Sequence, residues 1–115
     1  MIPDAVQVFV AIEPVDLRSG FDRLAGFARE RIGLEPSSSA LFVFFGRRRD
    51  AVKIVFLDRT GRCLFHKRLH RGTFAQLTAL APTEQHIELD AAALDELLDG
   101  IAIQPQATKQ KRTIH

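Results

Sequence analysis

The 115 residues predict an α+β domain: an antiparallel sheet of four to five strands with two helices, at about 20–32 and 91–98, packed on one face. Three observations point there. Apolar runs at 41–45, 52–57 and 62–69 are joined by two short polar turns, which makes them antiparallel neighbours in a 41–69 meander. Apolar residues recur at helical spacing behind Ser19 and again behind Asp90. A composition of 46% hydrophobic and 26% charged residues, with nine Phe and no Trp or Tyr, suits one dry core. This length supports a single domain, placed at 1–104 and followed by a flexible basic tail at 105–115.

Residues 7–12 are rich in β-branched and aromatic side chains, as a half-buried strand requires, and Glu13-Pro14 ends the run. Ser19-Gly20-Phe21-Asp22 offers a hydroxyl N-cap with a carboxylate three residues on. Phe21, Leu24, Phe27, Ala28 and Ile32 then repeat at spacings of three and four, predicting a helix that Gly33 stops in a left-handed conformation. Residues 34–40, with Pro36 and three serines, read as a loop.

Residues 41–45 form a buried strand, and 46–50 a turn whose three arginines belong in water. Val52, Ile54 and Phe56 share one face of the next strand. Asp58-Arg59-Thr60-Gly61 places Asp first and Gly fourth in a β-turn, leading into the strand at 62–69. Thr73 caps a short helix at 74–80, which Pro82 ends, and 86–89 adds a short strand. Asp90 is the N-cap of the second helix, with Leu89 and Leu94 as a hydrophobic staple. Asp95, Glu96 and Asp99 lie toward its C-terminal end, where the helix dipole disfavours each by a few tenths of a kcal/mol. That cost calls for a basic neighbour or partner.

Cys63 is the only cysteine, so neither an internal disulfide nor a cysteine metal cluster is expected, and a reducing, cytoplasmic setting fits. No apolar run approaches the length of a membrane span, and no signal peptide is read at the start. The informative quantity is the charge distribution. Residues 41–74 hold nine Lys and Arg against two Asp, whereas 75–104 hold six acids and no Lys or Arg. Arg47, Arg48, Arg49, Lys53, Arg59, Arg62, Lys67, Arg68 and Arg71 therefore make a candidate footprint for a polyanion, since guanidinium groups bind phosphate oxygens bidentately. The plainer reading is that turns and edge strands are simply solvated by arginine. No helix-turn-helix, zinc-finger or RNA-recognition pattern supports base-specific reading.

Asp16, Asp22, Asp50 and Asp58 could be imagined as a two-metal nuclease site, which needs convergent carboxylates, but each already has a simpler role, in a turn, a helix first turn, a turn and a turn respectively. His66 and His70 share a strand face but sit about 13 Å apart by strand rise, too far for one ion. Cys63 alternates with apolar Phe65, as a small buried hydrophobe does. Neither cofactor, metal nor catalytic group is expected. The acidic outer face of 91–98 either covers a core or docks a basic protein.

The stretch Asp16-Leu17-Arg18-Ser19-Gly20-Phe21-Asp22-Arg23-Leu24, then Leu41-Phe42-Val43-Phe44 with Gly46-Arg47-Arg48 and Asp50, carries a family resemblance. Lys53-Ile54-Val55, the run from Gly61 to Leu69, Arg71-Gly72 and Phe74 extend it. The chain resembles the accessory proteins encoded by the second open reading frame (TnpB) of insertion-sequence-66 family transposable elements, distinct from the longer RNA-guided nucleases that share the name. The resemblance implies a non-enzymatic protein that works beside a separate transposase and another accessory protein of the element. With the basic surface it implies DNA as a partner, or alternatively a docking module that holds those proteins without touching DNA. Asp16, Arg18, Gly20, Phe21 and Asp22 belong to the family-like motif, and Asp16 with Arg18 reads as a structural ion pair or turn bond that fixes the strand-to-helix corner. One departure is Phe56-Leu57-Asp58, where relatives tend to place tryptophan before the acid. Either a stacking contact is weakened, or packing is replaced by Phe and Leu.

Overall fold

Alternation in the first strand decides how the molecule is layered. In the computed structural model, which describes residues 7–75 and 86–99, β1 spans Gln7–Ala11. Val8 and Val10 enter one apolar cluster, and Phe9 and Ala11 enter another on the opposite sheet face. The remaining elements are α1 (Phe21–Arg31), β2 (Ala40–Phe45), β3 (Ala51–Leu57), β4 (Arg62–Arg68), β5 (His86–Leu89) and α2 (Ala91–Leu98). They build one five-stranded sheet in the order β4-β3-β2-β1-β5. The fold is α+β, with a mostly antiparallel sheet.

Two expectations about this architecture need correction. The sheet holds one parallel pair, β1 with β2, in which Phe9 lies beside Phe42. A helix joins these two strands, and a crossover of that kind returns the chain in the direction in which it set out. The helices also lie on opposite faces, not on one. Leu24 and Ala28 of α1 pack with Phe9, Phe42, Phe44 and Val55. Ala93, Leu94, Leu97 and Leu98 of α2 pack with Val8, Val10, Ile87 and Leu89. An amphipathic stripe says that a helix covers a face, and only the strand parity of its partners says which.

β2 is buried along its whole length because both layers close over it. Its rings pack on neighbours from either side: Phe42 stacked on Phe9 with centroids 5.3 Å apart, Phe44 tilted against Phe27 at 6.4 Å, Phe45 tilted against Phe74 at 5.4 Å. β4, at the sheet edge, alternates between exposed and half-buried residues. Its Cys63 and Phe65 lie toward the α2 face.

Local signals largely did what their chemistry dictates. Asp90 caps α2, its side chain accepting from the Ala93 amide at 2.8 Å. Asp58 closes its turn by accepting from the Thr60 and Gly61 amides at 2.9 and 2.8 Å. Gly33 takes a positive φ of 86° and sends its amide to the Ala28 carbonyl, ending α1. Ser19 does not cap α1. The N-cap is Gly20, with no side-chain bond, and Ser19 is buried. The helix expected at 74–80 falls, from residue 76 on, outside the described residues, as does the tail at 105–115.

Candidate functional site

Strand direction sorts the nine basic residues. β3 and β4 pair antiparallel from Ala51 opposite Arg68 to Leu57 opposite Arg62. Six strand steps separate those ends by roughly 20 Å. Arg47, Arg48 and Arg68 gather at the 46–50 end, and Arg59 and Arg62 at the other. Arg71 lies near the first group, between Leu69 and Phe74, whose amides bond to the carbonyls of Asp50 and Arg49. The basic stretch is therefore not one surface but two, with three of its members drawn into the framework.

Arg49 is the clearest departure from expectation, because it is buried and not in water. Its guanidinium lies 4.4 Å from the Phe45 ring centroid and donates to the Ala75 carbonyl. Burial pushes its pKa down, although guanidinium remains a cation at any ordinary pH. Its φ of 57° turns the chain so that Arg47 and Arg48 stay outside. Lys53 donates to the Ser19 carbonyl at 3.0 Å, tying β3 to the segment before α1. Lys67 donates to the Leu98 carbonyl at 2.7 Å, at the end of α2. It is the basic neighbour that the acidic C-terminal end of that helix called for.

At the far end Arg62 pairs with Asp22 and lies over the Phe21 ring at 5.3 Å. Arg59 is exposed on the 58–61 turn. Phe21 and Asp22 thus serve a corner distant from Asp16 and Arg18, although they share one motif.

The 46–50 end forms a cleft of about 540 Å³. β1 and β2 are parallel, so the segments that follow both strands emerge at this end and together wall the cleft. Pro14, Val15, Leu17 and Ala51 supply apolar lining, and Arg18, Arg47, Arg48 and Arg68 the cations. Val15 and Ala51 are buried, whereas Arg47 and Arg48 are exposed and have no ionic partner among the described residues. Asp16 accepts Arg18 through Nε at 3.1 and 3.2 Å and Nη2 at 2.8 Å, and also takes the Arg18 amide. The hydrogen bonds from Arg18 hold its carboxyl down at about 2. Asp50 accepts Arg68 Nη1 on Oδ2 at 3.1 Å. Gly46 sits close against Leu17: a Cβ there would stand 3.0 Å from Leu17 Cδ1, so the leucine would have to give way.

Leu17, Pro14, Val15 and Gly46 were not among the residues read as a site. A signal existed, since a strand–helix–strand reading of 7–45 brings the residues after both strands together. Asp16 and Asp50 share the cleft, but Asp22 and Asp58 lie elsewhere, so the four carboxylates do not converge. Among the described residues no group of three or more His, Cys, Asp or Glu could hold a metal ion. No described helix is long and apolar enough to cross a membrane.

Two relatives come from Sinorhizobium fredii (strain NBRC 101917 / NGR234). "Uncharacterized protein y4hO" is 39% identical over 103 residues, covering 88% of this chain and 87% of the relative. "Uncharacterized protein y4jC" is 30% identical over 69 residues, covering 60% of this chain and 59% of the relative. No solved structure matches significantly. The model of the family described as "IS66 Orf2 like protein" matches residues 6–108, a span that includes every side chain of the cleft, and the chain belongs to that family.

Proposed function

We propose that the chain is a non-enzymatic accessory protein of DNA transposition, which binds DNA through the arginines at the 46–50 end of its sheet and assists a separate transposase. The observation that carries this is the placement of Arg47 and Arg48, exposed and without ionic partners among the described residues, beside the family motif Asp16-Leu17-Arg18. Free guanidinium groups gathered at one end can replace the counterions of a phosphate backbone, whereas those engaged with carboxylates or carbonyls contribute less. Arg49, Lys53 and Lys67 leave the set of DNA contacts for that reason. Arg59 and Arg62, at the other end, are too far away to join the same short footprint.

The test is a binding titration with element-end DNA and random DNA at several salt concentrations. Affinity is expected to fall with salt at a slope of about −0.9 for each phosphate neutralised, roughly −3 if Arg47, Arg48 and Arg71 each engage one. The double reversal Arg47→Glu and Arg48→Glu should remove binding, while Arg59→Glu should change it little. Unchanged affinity in the double variant sinks the assignment.

A second reading is supported by α2, whose Asp95 and Glu96 are exposed. Here the acidic helix docks the transposase. Co-purification that survives nuclease treatment, with no shift of DNA by the chain alone, favours docking over DNA binding.

A further inference from the structure

We infer that the cleft takes one unpaired nucleotide of a DNA strand, its base against the apolar lining and its phosphate on the surrounding guanidiniums. The inference rests on the DNA-binding reading and narrows it to a form of DNA.

Size is the first support. An open cleft of about 540 Å³ has room for one base laid against its wall, within the roughly 300–1,000 Å³ range of small-ligand sites. A duplex keeps its bases stacked inside and offers a protein end chiefly phosphates, which need a charged surface and no pocket. Chemistry is the second support. Pro14 and Leu17 give the cleft an apolar wall from which phosphate oxygens gain nothing, whereas the face of a base gains by leaving water.

The third support is the arrangement of donors and acceptors. Asp16 engages Arg18 through Nε and Nη2 only, so the Nη1 edge keeps its protons for a ligand. Asp50 accepts Arg68 on Oδ2, and its Oδ1 has no partner among the described residues. Guanidinium donors and a carboxylate oxygen lining one cleft suit a ligand with both acceptors and donors. An unpaired base offers both along its Watson–Crick edge, which pairing in a duplex occupies, while a phosphate backbone offers acceptors alone.

The experiment uses the full chain and three fluorescent DNA probes of equal phosphate number: a blunt hairpin, a hairpin with a three-nucleotide overhang, and a single strand. Anisotropy titrations at one salt concentration should show the overhang and single strand bound about tenfold more tightly than the blunt hairpin, the scale of one buried base. Gly46→Ala forces Leu17 to shift at the cleft, and should erase that preference while keeping affinity for the blunt hairpin. If this variant unfolds on heating earlier than the parent, Leu17→Asn reads the same property through polarity. Equal affinity for all three probes overturns the inference and leaves the DNA-binding reading standing. No binding to any probe overturns both. A preference that persists in both folded variants also overturns the cleft as its source.

Discussion

Arg48 and Arg49 are adjacent and chemically identical, yet one is exposed and the other is buried on a phenylalanine. The left-handed backbone at Arg49 costs on the order of 1 kcal/mol, and the Phe45 stack and the Ala75 bond offset it. Arg49→Ala is expected to destabilise the protein by about 2 kcal/mol in denaturant unfolding, through lost stacking and packing. Arg48→Ala should stay within about 0.5 kcal/mol. Nothing local in RRRD distinguishes the two, because the pocket for Arg49 comes from Phe45 and residues 74–75 and exists only once the chain has folded. Asp16 gives a pH prediction. Its carboxyl is held at about 2, below the ordinary 3.8, so the Arg18 pair contributes stability above the ordinary value and loses it as pH falls toward 2. The pair is solvent-exposed, so the effect is small. Carboxyl NMR should place the Asp16 midpoint well below the ordinary aspartate value, and Arg18→Gln should bring it back toward that value, since the Arg18 side-chain bonds are the largest cause of the lowering.

At the scale of elements, the sequence is informative about existence and silent about side. Helical spacing marked α1 and α2, and turn chemistry at Asp58 and Asp90 gave the bonds expected. The face each helix covers depended on which alternate residues of β1 met it, and apolar residues at every position from Val8 to Ala11 conceal that parity. The parallel pairing of β1 with β2 was implicit in the helix between them. Lys67 shows how an element borrows a side chain. Its ammonium serves the last turn of α2, so Lys67→Met should cost about 1 kcal/mol. Amide exchange should quicken in that turn, with DNA affinity unchanged within twofold. A large fall in affinity with unaltered exchange would return Lys67 to the DNA surface.

For the whole molecule, the contrast in charge between the middle block and its flanks was legible, but its unity was not. A linear block of nine bases becomes two opposite sheet ends because antiparallel strands carry successive turns to opposite sides. The family motif split likewise, Asp16 and Arg18 going to the cleft and Asp22 to the far corner. One pairing also bears on how the chain is made. β5 pairs with β1, Val8 opposite Leu89, while the β2–β4 meander is held by short turns. Loop-closure entropy rises by only about 0.6 kcal/mol for each doubling of length, so the distant pairing costs little stability. Its cost is in time. As the chain leaves the ribosome the meander can zip at once, but the outer edge of β1 has no strand to meet until residue 89 has emerged. An apolar edge left open for so much of synthesis invites the wrong partner, and the last described strand is the one that closes it.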